Sequence, residues 1–427
     1  MNTSHTVRLG LLLTALLTVS APIAASPVPR DIATRAAELI DNNFYDVERA
    51  RKISDELKSA AKAGEFDALK DPRDLAAKLS ERLYKYDRHF RVSFTKHESE
   101  RESHPSMSAE AMDRRSGYGF RRVEMLPGAI GLIDMRMFAD FEFGKPNEPA
   151  RTTVDAALTM MSNADAVIID LRNNGGGSPA MVGYLVSAFT PADANIYNNF
   201  HRRSDEFSER PGDFYLTPML NVPLYVLISG RTASAAEATA YTLQAAHRAI
   251  IVGEKSAGAA NPGGQFPIGE GFNIFISTGS PMNPVTKTNW EASGVQPDVA
   301  ISAEDALLRA QILALERVLA ANSNSPEHEE TRWILEALRV EQGGAPKGPA
   351  LAAYAGKYGD ASIAVKGDTL MFVRGQRPPA TLVRIKDDIF FVKGESFRRV
   401  LFDRESSGKI RGFQLARVGG DSVWFPK

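Results

Sequence analysis

The sequence predicts an α/β core, with a mixed, largely parallel sheet and flanking helices. An N-terminal helical segment precedes it and a small C-terminal antiparallel β domain follows. Three observations lead there. Apolar positions recur at helical spacing from about Pro29 to Lys85. From Tyr118 to about Val299, short apolar runs alternate with helix-forming stretches, the pattern of strands joined by crossover helices. From about Leu351 the helical period gives way to short β-branched and aromatic runs separated by polar turns.

Each element rests on particular residues. In the first part Ile32, Ala36, Leu39 and Ile40 share a face, as do Ile53, Leu57 and Ala61, and then Leu75, Leu79 and Leu83. Asp71-Pro72 marks a helix start, since proline is tolerated in a first turn. Phe94 to Ser116 is polar and charged and reads as a loop or flap. In the core, 129–135, 166–171, 222–228 and 249–252 read as strands. Residues 152–161, 181–188 and the Ala-rich stretch after Ser234 read as helices. Residues 321–326 and 343–348 look like linker edges around a helical segment. Beyond them 362–365, 369–373, 389–392 and 400–402 read as strands. The division expected is 1–25, 26–116, 117–320, 321–350 and 351–427.

Composition narrows the function. The chain has 427 residues, 43% hydrophobic and 24% charged, as in an ordinary folded protein of two or three domains. A net charge of -1 gives no bulk attraction to nucleic acid or an anionic membrane. The absence of cysteine excludes disulfides, thiolate metal sites and a cysteine nucleophile. Arg8 precedes the apolar stretch 9–19, and small residues follow around Ala21 to Ser26. This reads as a secretory signal peptide over 1–25, releasing a soluble periplasmic or secreted protein that begins near Ser26. An uncleaved anchor is the alternative reading.

Four segments could carry chemistry. Ser234 lies in Ser229-Gly230-Arg231-Thr232-Ala233-Ser234-Ala235-Ala236-Glu237, between a buried strand and a helix. A hydroxyl there sits near the positive end of the helix dipole, among N–H groups without helical partners. That position suits a nucleophile whose oxyanion the same turn stabilises. Ser234-x-x-Glu237 is also a capping box, so a plain N-cap fits the same residues. Asp170-Leu171-Arg172-Asn173-Asn174-Gly175-Gly176-Gly177 follows another buried strand, and its glycines let backbone approach a ligand or adopt positive φ. It lacks the Lys-Ser/Thr ending of a phosphate-binding loop. His89 lies in Asp87-Arg88-His89-Phe90, Glu291 in a turn at 289–298, and Lys255 in Gly253-Glu254-Lys255; each is also compatible with a solvated or structural role.

Taken together and in order, these segments resemble the tail-specific or C-terminal processing family of serine peptidases, in the branch like the tricorn core and the interphotoreceptor retinoid-binding protein modules. The resemblance rests on Gly117-Tyr118-Gly119-Phe120, 126–131, Asp170 to Gly177, Thr232 to Glu237, Val252-Gly253-Glu254 and Trp290 to Asp298. It covers roughly residues 85 to 300. Carried over by position, it makes Ser234 the nucleophile, His89 the base and Glu291 the carboxylate that orients it. The N–H groups of Ala235 and Gly176 would form the oxyanion hole. The lysine of the Ser–Lys branch falls where this chain has Ala259, and Lys255 matches another position. Members with a PDZ module carry it where this chain has only residues 91–116. The resemblance implies a polypeptide or peptide substrate and no metal or organic cofactor. A non-catalytic ligand-binding protein on the same fold, and an esterase with the same three residues, are the rival readings.

Overall fold

The computed structural model describes residues 28–95, 107–321 and 327–427. The signal-peptide reading over 1–25 lies outside the described residues. Among those described, no helix is long and apolar enough to cross a membrane.

The N-terminal part is helical: α1 (Pro29–Asn43), α2 (Val47–Lys62) and α3 (Pro72–Tyr84). Asp46 and Asp71 cap α2 and α3 by accepting the backbone N–H groups of Arg49 and Arg73. Their shared apolar face does not close on itself. It packs on a small sheet of order β1-β10-β9 (Arg91–Phe94, Phe272–Ser277, Gly263–Gly269), where Val92, Ile268, Phe272, Ile274 and Ile276 are buried. Within 94–116, read as a loop, residues 109–115 form α4 (Ala109–Arg115). Ser108 caps it through Ala111 N at 3.2 Å, Glu110 opens it and Arg114 and Arg115 close it. Cap and charge, not an apolar face, make this helix.

The core is a six-stranded sheet of order β12-β8-β7-β4-β3-β2. Here β2 is Phe120–Leu126, β3 Ile130–Met135, β4 Ala166–Asp170, β7 Leu224–Ile228, β8 Ile250–Gly253 and β12 Val299–Ala300. Only β2 is antiparallel to its neighbour. Parallel strands need cover on both faces. Helices α5 (Pro149–Met161), α6 (Pro179–Ser187) and α7 (Ala235–Ala245) pack on one, against Ile133, Ile169, Val226 and Ile228. On the other, α8 (Ala306–Ala321) and α9 (Glu327–Gly343) cover Leu132, Ile168 and Leu227. A third sheet, β11-β5-β6, joins Gly279–Met282 to the hairpin Asn199–Arg202 and Glu206–Ser208.

The C-terminal strands run β13 (Gly356–Tyr358), β14 (Ala361–Lys366), β15 (Thr369–Arg374), β16 (Ala380–Lys386), β17 (Ile389–Val392), β18 (Glu395–Arg404), β19 (Ile410–Arg417) and β20 (Val423–Pro426). They pair antiparallel in sequence order around Tyr354, Tyr358, Phe390, Phe402 and Phe413. Arg399, 2% exposed, joins this sheet to α9 through the Trp333 carbonyl, with its guanidinium over the Trp333 ring.

Candidate active site

Ser234 stands between β7 and α7 with φ 54° and ψ -123°, a conformation that L-residues rarely hold. Such strain costs about 1–3 kcal/mol and persists only when its surroundings impose it. They do so here. Ala233 N–H donates to the Asn174 carbonyl at 3.1 Å. Thr232 Oγ1 donates to the Leu171 carbonyl at 2.8 Å and accepts Ser229 N–H at 2.9 Å. Gly176 lies so close that a Cβ there would be 2.7 Å from Ser234 Cβ. Only glycine tolerates that approach, which accounts for one glycine of the run.

Glu237, fully buried, ties the turn together. It accepts Ser234 N–H (2.9 Å), Ser256 Oγ–H (2.5 Å), Gly258 N–H (2.6 Å) and Ala259 N–H (2.8 Å). The carboxylate half of the capping box is thus present, while the Ser234 hydroxyl sits near the Glu237 N–H without a well-formed cap hydrogen bond. The glutamate that reads as a cap residue in sequence is a buried junction of two loops.

His89 arrives from the other side, two residues before β1. Its Nδ1 lies 2.9 Å from Asp87 Oδ1 and 3.6 Å from Glu291 Oε1. Asp87 also accepts His89 N–H at 2.8 Å. The nearer orienting carboxylate is therefore Asp87, which the sequence reading passed over. Glu291 stands second, its Oε2 held by the N–H groups of Ala260 (2.9 Å) and Asn261 (3.1 Å). Asp-x-His carries a signal that could have found it, because an aspartate often accepts the N–H two residues on.

Charge couples the three. Burial pulls the His89 pKa down, but the Asp87 hydrogen bond and the charges of Glu291, Asp87 and Glu237 outweigh it and leave it raised. Burial opposes ionisation of Asp87, and the His89 hydrogen bonds still hold its carboxyl below the usual range. Burial pushes Glu291 up against the pull of His89. One ligand atom from each residue lies within 4.8 Å of the others, a spacing that could also gather a metal ion. The hydrogen bond from imidazole to Asp87 accounts for the geometry without one.

His89, Ser234, Ala235, Gly175 and Gly177 line one cavity of about 410 Å³, with Asn261, Phe275 and Trp290. Gly176, expected to offer its N–H to the oxyanion, makes a hydrogen bond within its own loop. Its N–H donates at 2.9 Å to Asn174 Oδ1, because the fully buried Asn174 side chain needs a donor inside the loop. Lys255 is exposed and does not line the cavity. A larger cleft of about 720 Å³ opens beyond β3 and β4, but its Arg136 and Arg172 are engaged by Asp134 and Asp170.

A parallel α/β core that presents a strained serine at a strand-to-helix turn, beside an imidazole held by a carboxylate, has the layout of a nucleophilic acyl-transfer site. Residues 129–301 match the model of peptidase family S41. It is 27% identical over 183 residues to the carboxy-terminal processing protease CtpB of Bacillus subtilis, covering 42% of this chain and 36% of that protein. It is 30% identical over 136 residues to the carboxy-terminal-processing protease of Bartonella bacilliformis, covering 31% and 30%. The chain spans about a third of the length of these curated relatives. A putative peptidase from Parabacteroides merdae superimposes with TM-score 0.48 at 19% identity, covering 70% of this chain and 99% of that one.

Proposed function

We propose that the chain is an exported serine peptidase that hydrolyses peptide bonds through an acyl-enzyme. Ser234 Oγ attacks the peptide carbonyl. With Nδ1 engaged by Asp87, His89 uses Nε2 to take the serine proton and then gives it to the leaving amine. Asp87 fixes the tautomer and offsets the imidazolium charge, with Glu291 as the second carboxylate. The Ala235 N–H, at the start of α7, faces the developing oxyanion. Water then releases the acyl group by the same proton path in reverse.

The observation that carries this reading is the meeting of Ser234 and His89 at one cavity although they come from different cores. The test is mass-spectrometric profiling of a peptide library and an unfolded protein. Cleavage by the unmodified chain should fall at least about a thousandfold in Ser234→Ala and in His89→Ala. Equal cleavage by Ser234→Ala would sink the proposal. Export rests on Arg8 and the apolar stretch 9–19. N-terminal sequencing of the exported protein should begin near Ser26.

A further inference from the structure

The cavity that holds Ser234 also receives Glu209, a carboxyl the reaction does not use. Glu209 follows β6 and is 4% exposed. Its Oε2 accepts the Asn198 amide at 2.7 Å. Asn198, fully buried, also donates to Thr242 Oγ1 (3.0 Å) and accepts from Asn283 (2.9 Å), so the polar support is fixed from behind. Among the described residues Glu209 Oε1 has no hydrogen-bond partner, and no cation pairs with the carboxyl. Its neighbour Arg210 turns to the Ala192 carbonyl at 2.7 Å instead.

The other buried acids differ. Asp134 meets Arg136, Asp170 meets Arg172, Asp87 meets His89, and Glu237 accepts four donors. Glu209 alone among them has neither a counter-charge nor a full set of donors. A carboxyl buried in that state opposes folding. Around it the lining is apolar: Phe200 and Phe207 stack with centroids 4.6 Å apart, and Pro179 and Ala238 complete the walls. Apolar walls leading to an unpaired carboxyl match an aliphatic stem that ends in a cation.

We propose that Glu209 makes this cavity a specificity pocket for a basic side chain, lysine or arginine, of the peptide held at Ser234. The inference rests on the peptide-binding reading of the cavity. Burial, opposed only by the Asn198 hydrogen bond, pushes the Glu209 carboxyl up to about 8. The incoming ammonium or guanidinium favours the carboxylate, so Glu209 gives its proton to solvent as the ion pair forms.

The experiment measures equilibrium binding to the full chain carrying Ser234→Ala, which cannot turn over. The probes are alanine-based hexapeptides with lysine, Nε-acetyl-lysine or norleucine scanned through each position. At one position lysine is expected to bind at least about tenfold tighter than both neutral analogues. The gap should close in Ser234→Ala/Glu209→Gln. Equal binding of the three side chains at every position, or a lysine preference that survives Glu209→Gln, overturns the inference and leaves the peptidase reading standing. Failure of every peptide to bind overturns both. If the double variant does not fold, the three-peptide comparison on Ser234→Ala alone decides.

Discussion

Two regions beside the candidate nucleophile each bury a glutamate, and they treat it in opposite ways. The turn before α7 surrounds Glu237 with four donors from two loops. The hairpin of β5 and β6 leaves Glu209 with one amide and an apolar cavity. A buried polar group with every lone pair met rigidifies its surroundings, whereas a half-met one is costly until something arrives. The first glutamate builds the site. The second is left for what enters it.

Breaking the satisfied region should have the largest effect. Glu237→Ala strands three backbone N–H groups and the Ser256 hydroxyl, each worth about 1–3 kcal/mol when buried and unpaired. The α/β core should then unfold at clearly lower urea, and kcat/KM should fall at least about a hundredfold as Ser234 loses its strained conformation. Unchanged activity would show that Glu237 does not set the turn.

Asp87→Asn comes next and sharpens the comparison by removing charge at a site that is nearly satisfied. The raised pKa of His89 moves the appearance of its neutral, base-competent form to higher pH than in an ordinary histidine, so kcat/KM should rise with pH through a midpoint above about 6.5. Asp87→Asn should lower both that midpoint and the plateau, the plateau by about a hundredfold. Glu291→Gln, which removes the carboxylate 3.6 Å away, should cost about tenfold. A larger loss at Glu291 than at Asp87 would return the orienting role to the residue first expected from the sequence.

The smallest effect lies in stability. The folded-state pKa of Glu209 is raised, so its protonated form is the one folding favours. Its destabilising contribution grows as pH rises from the ordinary glutamate value toward about 8, then levels off. Glu209→Gln should therefore raise urea resistance relative to the parent more at pH 8.5 than at pH 5. An effect independent of pH would mean that Glu209 is ionised throughout.

What the sequence disclosed follows the range of the forces involved. Val167 to Ile169 and Val226 to Ile228 are apolar without interruption, so buried parallel strands were legible there. Ser234 and the glycine run were legible because positive φ and strand-to-helix turns leave local marks. The hairpin of β5 and β6 was not, since Arg202, Arg203 and Asp205 give it the look of a polar loop. The fate of Glu209 depends on Asn198, Thr242 and Asn283, which only the fold gathers. The partner of the Gly176 N–H is set the same way, by the buried amide of Asn174 two residues before it.

The pairing of β1 with β10 sets Arg91 opposite Phe275, far along the chain. On the ribosome, the helices that precede His89 therefore cannot finish their own core until the segment through Ser277 has emerged. Chains stopped at residue 260 should accordingly show no cleavage and bind hydrophobic dyes.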